Sequence, residues 1–356
     1  MRVALIGPPQ SGKSTLFAAV AEAGGSNVDL SRPDQPHLAV VKVPDERLDV
    51  LAEHFHPKKI VPAELEFLDL PGLNLSDEAG RNRAKTHWAA MRQADMLVFV
   101  VRAFDDATVP AYRDRVDPES DVRELLDEML FADLDQVTNR IEKLTAALKK
   151  PARDHKEQQR ELELMQRLSE SLENEKTIAD AIGSETEDKL IRSFAFLSQK
   201  PMLVVLNLGE EAVGEDGPES IASVPCLRLS ARIEEEIARL DEAERSEFLS
   251  DLGVDSPARD RLVQACYHAL GLVSFLTYGE DECRAWTVPA GTPAVEAAGE
   301  IHSDIARGFI RAETVAYDDF ISAGDMKAAK AAGRVRLEGK TYVIQDGDMI
   351  TFRFNV

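Results

Sequence analysis

The chain has 356 residues, 44% hydrophobic and 30% charged, and its 42 basic and 64 acidic side chains give a formal net charge of −22. That length calls for two or three folded units, and no apolar run approaches the ~20 residues of a membrane span. So acidic a chain is repelled on average by nucleic acid, which weighs against a general nucleic-acid binder and confines any RNA contact to a local basic face.

Val3–Ile6 reads as a buried strand, too short and too close to the next motif to be a signal peptide. It runs into Gly7-Pro8-Pro9-Gln10-Ser11-Gly12-Lys13-Ser14, which matches the phosphate-loop pattern G-x-x-x-x-G-K-[ST], and Thr15–Val20 then reads as a helix. In that order, backbone N–H groups and the helix N-terminus face a triphosphate. Gly7, Gln10, Ser11, Gly12, Lys13, Ser14 and Thr15 are the expected phosphate-binding residues. Lys13 would neutralise the β- and γ-phosphates, and the Ser14 hydroxyl would ligate Mg²⁺. A glycine turn with a stray lysine is the bland alternative, and the full strand–loop–helix setting argues against it.

Leu38–Val43, Leu65–Leu70 and Met96–Val101 are further strand candidates. Their alternation with helices up to about residue 115 predicts a largely parallel sheet of the α/β P-loop NTPase kind. Asp69-Leu70-Pro71-Gly72 is a D-x-x-G at the end of one of these strands. There Asp69 would hold Mg²⁺ through a water and the Gly72 amide would sense the γ-phosphate. Lys13, Asp69 and Gly72 are the catalytic candidates, and Ser14 and Asp69 the metal pair. Leu73 follows where signalling GTPases carry glutamine, and leucine can neither donate nor accept a hydrogen bond. Either another group positions the attacking water or intrinsic hydrolysis is slow.

Leu130, Leu134, Val137, Ile141, Leu144 and Leu148 then form a heptad seam on a long helix. Pro151 ends it, and Leu162, Met165, Leu168 and Leu172 mark a second helix. The pair is expected to form an antiparallel coiled-coil arm inserted into the sheet domain, with a partner-contact surface and no chemistry. Pro201–Leu206 resumes the sheet as a fully buried strand. At its end Asn207-Leu208-Gly209-Glu210 stands where guanine-specific proteins use N-K-x-D. A carboxylate displaced by one methylene would lose the bidentate fit to guanine. A strand Cys226–Leu229 leads to Ser230-Ala231, the expected backbone contact to the base. Arg232–Leu252 and Arg261–Leu272 read as helices. Beyond Tyr278 the tail reads as a small, mostly β domain. Its expected strands are Ala285–Val288, Gly308–Thr314, Val335–Leu337, Tyr342–Ile344 and Met349–Phe354, with one short helix at Met326–Ala332. The expected division is 1–118 and 198–276 for the G domain, 119–197 for the arm and 277–356 for the terminal domain.

With these residues in hand, the chain resembles the YchF-type proteins, the ATP-preferring branch of the Obg-related translation-factor GTPases. The likeness covers nearly the whole chain. It is most specific at Arg284-Ala285-Trp286-Thr287, Ile301-His302-Ser303-Asp304, Arg307–Glu313, Leu337-Glu338-Gly339-Lys340 and Gln345–Val356, which look like the family's TGS domain, a small β-grasp-like fold. Val43–Leu48 and the Asn207…Glu210 pair also fit. The resemblance implies a G domain, a coiled-coil arm and a terminal TGS domain. It also implies Mg²⁺ with ATP in preference to GTP, slow hydrolysis, and association with the ribosome or its RNA through the TGS domain and arm. A cytoplasmic monomer with no DNA or membrane partner is expected. Cys226, Cys266 and Cys283, scattered without metal-ligand spacing, fit a reducing compartment.

The departures from the family pattern cluster around the γ-phosphate. Gln10 replaces the loop's usual asparagine, which puts potassium activation in doubt. In Ser31–Pro36 a proline takes the place of the Mg²⁺-binding threonine. Residues 74–81 are shorter and poorer in glycine than the family's mobile stretch, and no histidine occurs between Asp105 and Pro118. Two readings therefore compete: a slow regulatory ATPase, and a binding protein in which the nucleotide is a structural ligand. A kinase on the same loop would lack a lid and leave D-x-x-G unexplained. His54, His56 and His87-Trp88 read as packing residues without metal-ligand spacing.

Overall fold

The computed structural model describes residues 1–23, 28–149, 155–251, 254 and 256–355. They divide into two compact units, one of residues 1–22, 28–39 and 67–258, the other mainly of 40–66 and 259–355. Pro151 and Leu252, which the sequence reading used as a helix break and a helix end, lie outside the described residues.

In chain order the first elements are β1 (Arg2–Ile6), α1 (Lys13–Ala23), β2 (His37–Lys42), α2 (Glu46–Phe55), β3 (Lys59–Val61) and β4 (Glu64–Asp69). Helices α3 (Glu78–Lys85) and α4 (Trp88–Gln93), strand β5 (Met96–Ala103) and the long helix α5 (Pro118–Leu148) follow. Helices α6 (His155–Glu173), α7 (Ile178–Ala181) and α8 (Glu185–Ile191) lead to strands β6 (Met202–Leu208), β7 (Ser220–Ile221) and β8 (Val224–Leu229). Then come α9 (Ala231–Arg239), α10 (Glu242–Asp251) and α11 (Ala258–Ala269).

A seven-stranded sheet runs in the order β2-β4-β1-β5-β6-β8-β7. The ladders β1–β5, β5–β6 and β6–β8 are parallel, with Leu5 opposite Val98, Phe99 opposite Val204 and Val205 opposite Leu227, and the β7–β8 edge is antiparallel. Leu5, Ile6, Phe99, Val100, Val204 and Val205 are wholly buried. That is why these strands read as unbroken apolar runs, covered on both faces. Strand β1 lies between β4 and β5, so the chain order reverses about it, and a ligand crevice opens outside the carboxyl ends of such strands.

Helix α5 serves two cores. Val122, Leu125 and Met129 pack into the sheet core, while Val137 and Leu144 join Leu162, Met165, Leu168 and Leu172 of α6. The heptad seam thus faces α6 as its spacing predicts. The base of the pair is closed by α7, α8 and Phe196, so the insertion is a small helical core as well as a two-helix arm. Asp133 of α5 is fully buried, and both of its carboxylate oxygens accept hydrogen bonds. It accepts from Arg92 Nη1 (3.0 Å), the amides of Leu197 (3.0 Å) and Ser198 (2.7 Å), and the Ser198 hydroxyl (2.8 Å). A buried carboxylate is tolerated on those terms.

The expected helix Arg232–Leu252 is two helices. Asp241 starts the second by accepting from the Glu244 amide (2.9 Å), while Glu244 reaches back to the Asp241 amide, a reciprocal capping box.

In the second unit the elements after α11 are β9 (Leu272–Thr277), β10 (Glu282–Pro289), α12 (Ala294–Ile301), α13 (Ser303–Arg307), β11 (Phe309–Ala316), α14 (Tyr317–Ala323), α15 (Met326–Ala331), β12 (Arg336–Glu338) and β13 (Asp348–Phe354). They form a six-stranded sheet, β12-β11-β13-β9-β10-β3, whose edge β3 runs parallel to β10. Three expectations need correction. The helix expected at Arg261–Leu272 ends at Ala269, because Gly271 turns left-handed at φ +63°, and Leu272 opens strand β9. Tyr342–Ile344 makes only an isolated bridge, Val343 to Pro293, since its backbone bonds go to Thr292 and Ala294. The tail carries four short helices rather than one.

Candidate nucleotide-binding site

The carboxyl ends of five neighbouring strands bring the expected residues to one crevice: Gly7 after β1, Asp69 at β4, Phe104 after β5, Asn207 at β6 and Ser230 after β8. The loop after β1 needs its glycines for two different reasons. A Cβ on Gly7 would stand 2.2 Å from the Val100 carbonyl oxygen, and Gly12 combines φ +87° with an Asn207 Nδ2 2.0 Å from where its Cβ would be. Gln10, at φ +60°, adopts a left-handed conformation without being glycine.

Lys13 and Ser14 open α1 and both turn to Asp69. Lys13 Nζ pairs with Asp69 Oδ1, and Ser14 Oγ donates to Oδ2 at 2.8 Å. Lys13 and Asp69 are almost completely buried. Ser11 Oγ is buried too and has no hydrogen-bond partner, a state that costs about 1–3 kcal/mol. An acceptor entering the loop would relieve it.

Ser11, Lys13 and Ser14 line a cavity of about 340 Å³ together with Gly72 and Pro33, and Asp69 stands behind Lys13 and Ser14. Gly72 packs on Pro9, whose Cα lies 3.0 Å from where a Cβ would be. Pro33, one of the two prolines in the Ser31–Pro36 segment, brings no hydroxyl to the cavity. Leu73 is not at the cavity. Its side chain is 1% exposed in the sheet core, and its amide donates to the Gly7 carbonyl at 2.9 Å.

A second cavity, of about 510 Å³, shares Gly12 and Thr15 with the first. Asn207 lines the second and is tied to the loop that lines the first. Its Nδ2 donates to the Ser11 carbonyl (2.8 Å), and its Oδ1 accepts from the Ala231 amide (2.9 Å), all buried. Leu208, Glu210, Ser230 and Ala231 line this cavity, as the sequence reading expected. Leu208 is buried. Glu210 is exposed and ion-paired to Arg232 Nε at 3.0 Å.

The sequence reading missed the third wall, Phe104 to Val109, and the rim residues Arg232 and Glu235. Arg102, buried at the end of β5, holds that wall. Its guanidinium donates to the carbonyls of Phe104 (2.9 Å), Asp106 (3.2 Å) and Val109 (2.9 Å) and lies over the Phe104 ring. Hydrogen bonds from the Thr108 side chain and amide hold the Asp106 carboxyl below its ordinary range. On the phosphate side, burial and then the Lys13 charge push the His87 imidazole down.

Two adjoining cavities, one lined by the glycine loop with a lysine and one of about 510 Å³ lined by Asn207, Leu208 and Ala231, can take the phosphates and the base of one nucleotide. Fold and site together define a P-loop nucleotide-binding protein with a G domain and an appended α+β domain. A profile for 50S ribosome-binding GTPases matches residues 2–140. Another, for the C-terminal domain of YchF GTPases and described as a protein of unknown function, matches 272–355. The ribosome-binding ATPase YchF of Bacillus subtilis is 40% identical over 99% of this chain and 98% of its own length. The Obg-like ATPase 1 of Caenorhabditis elegans is 33% identical over 100% of this chain and 92% of its own. The solved YchF GTPase of Schizosaccharomyces pombe matches with a TM-score of 0.85 at 27% identity, over 99% of this chain and 97% of that one. The chain belongs to the YchF family.

Proposed function

We propose that the chain is a ribosome-associated ATPase that binds Mg²⁺ and ATP in this cleft, takes GTP more weakly, and hydrolyses slowly. The observation that carries the reading is the convergence of Lys13 and Ser14, which line one cavity, on the carboxylate of Asp69, with Asn207 lining a second cavity beside it. Ser14 and Asp69 suit Mg²⁺: two hard oxygens 2.8 Å apart, at a cavity whose phosphates and waters would complete its shell. When bound, the ion spreads the charge that develops on the transferred phosphoryl group.

The remaining work falls to the chain itself. Lys13 exchanges Asp69 for phosphate oxygens, the loop amides and Ser11 bind the phosphates, and Gly72 offers its N–H to the γ-phosphate. Among the described residues lining that cavity there is no carboxylate or imidazole to take a proton from water. With Leu73 turned into the core, this supports slow turnover. Preference for adenine follows from the base cavity. Leu208 supplies no charge, and Glu210, longer than aspartate and engaged by Arg232, cannot make the paired bonds that guanine's edge requires.

The same burial of Leu73 favours one second reading, a nucleotide held as a structural ligand while the arm (119–197) and the TGS segment (277–356) carry the ribosome contact. The relatives named as ribosome-binding support that contact in either case. Calorimetric titration with non-hydrolysable ATP and GTP analogues in Mg²⁺, followed by single-turnover phosphate release, tests the proposal. ATP should bind at least tenfold tighter, a difference of ~1.4 kcal/mol, and release phosphate slowly. Tighter GTP binding overturns the base assignment, and binding without release leaves the structural ligand.

A further inference from the structure

Leu75 lies three residues past Gly72 with its side chain 1% exposed, and both of its backbone polar groups are taken by side chains of one loop. Its amide donates to the Tyr112 hydroxyl at 3.0 Å, and its carbonyl accepts from Arg113 Nη2 at 3.2 Å. The same hydroxyl donates to Glu124 Oε2 at 3.0 Å, and the same guanidinium pairs with Glu124 Oε1. Glu124 stands near the start of α5, the helix that continues into the arm. The loop holds this arrangement although Arg113 and Asp114 both sit in the left-handed region, at φ +53° and +55°, a conformation that crowds Cβ in any residue but glycine. Two residues earlier, the Leu73 amide is bound to the Gly7 carbonyl at 2.9 Å. The segment after Gly72 is therefore anchored twice, on the phosphate loop and, through Tyr112 and Arg113, on α5.

We propose that Tyr112, Arg113 and Glu124 are positioning residues for the γ-phosphate: they fix residues 73–76 so that the Gly72 N–H already stands on the wall of the phosphate cavity before nucleotide arrives. The inference rests on the reading that Gly72 faces the γ-phosphate. A preformed donor adds affinity to a nucleoside triphosphate and nothing to a diphosphate, because the ordering cost has been met in the free protein. Loosening the anchor should weaken the triphosphate complex selectively.

The experiment compares the full chain with Tyr112→Phe and Glu124→Gln, two variants that keep side-chain shape. Calorimetry gives the affinities for ADP and for a non-hydrolysable ATP analogue in Mg²⁺, and single-turnover phosphate release gives the rate. In both variants the ratio of analogue to ADP affinity should fall about fivefold and the rate should fall with it, while ADP affinity stays within twofold. A ratio and rate unchanged within twofold in both variants overturn the positioning role and leave the reading of Gly72 standing. A wild-type protein that binds ADP and the ATP analogue equally overturns that reading, and this inference with it. Equal loss of ADP and analogue affinity reduces the three residues to general support of the fold and overturns the inference alone.

Discussion

The two halves of the cleft are built by different means. The phosphate half comes mainly from one contiguous stretch, Pro8 to Thr15, with Gly72 added from beyond the neighbouring strand and Asp69 at that strand's end holding Lys13 and Ser14. Lys13 and Asp69 are buried and paired there and Ser14 bonds the same carboxylate, so its shape is set by backbone sterics and a buried ion pair. The base half draws on residues 104–109, 207–211 and 230–235, and its charged rim lies in solvent, where an ion pair such as Glu210–Arg232 contributes at most about 1 kcal/mol. On the proposed reading, affinity and selectivity are housed separately: the phosphate half would grip what all nucleotides share, and the base half would choose among bases.

The sharpest way to break this division is Lys13→Ala. Loss of a charge-assisted contact to phosphate should weaken ATP and GTP analogues alike by roughly 100-fold, about 2.7 kcal/mol, in calorimetric titration. A loss confined to one base would refute the separation. Next comes Asn207→Ala, which cuts the tie between the halves and strands the Ser11 carbonyl and the Ala231 amide. We expect a lower melting temperature by several degrees in a thermal unfolding scan, and about tenfold weaker binding of both analogues. Unchanged melting would mean that Asn207 is not the tie between the halves. Glu210→Asp should act on the base half alone, tightening GTP relative to ATP by about fivefold, or ~1 kcal/mol, with inorganic triphosphate binding unaltered.

The smallest effect belongs to His87. Its folded-state affinity for a proton is lowered by burial and by Lys13, so below the ordinary histidine value of ~6.5 the unfolded chain binds the extra proton. Stability should therefore rise with pH up to that value and level off above it. His87→Gln should flatten the rise between pH 5.5 and 7 by about 2 °C or less in melting temperature. A slope that survives the substitution would place the titrating group elsewhere.

The same contrast explains what could be read from the chain. The phosphate half was legible because its chemistry is local: glycine spacing, a lysine and a hydroxyl on the first helical turn, and an aspartate closing an apolar strand. Asn207 was legible because it lies at the end of an apolar strand, and Ala231 because it follows β8 by two residues. The 104–109 wall was not, since Arg102 holds it through three backbone carbonyls and no residue period encodes that. In the tail, α12 was missed because its buried face is Ala294, Ala297 and Ala298, too small to signal an apolar stripe. The break before α10 was present in Asp241-Glu242-Ala243-Glu244 and was passed over for the longer acidic run.

Helix α5 spans 31 residues without a break, about 46 Å at the usual rise per residue. One end is packed beneath the segment that follows Gly72 and the other lies in the arm. Such a rod is a lever with its fulcrum beside the nucleotide: a tilt of about 5° at the base would carry the tip through about 4 Å. A sub-ångström adjustment at a phosphate would then reach a distant surface as a displacement the size of a side chain.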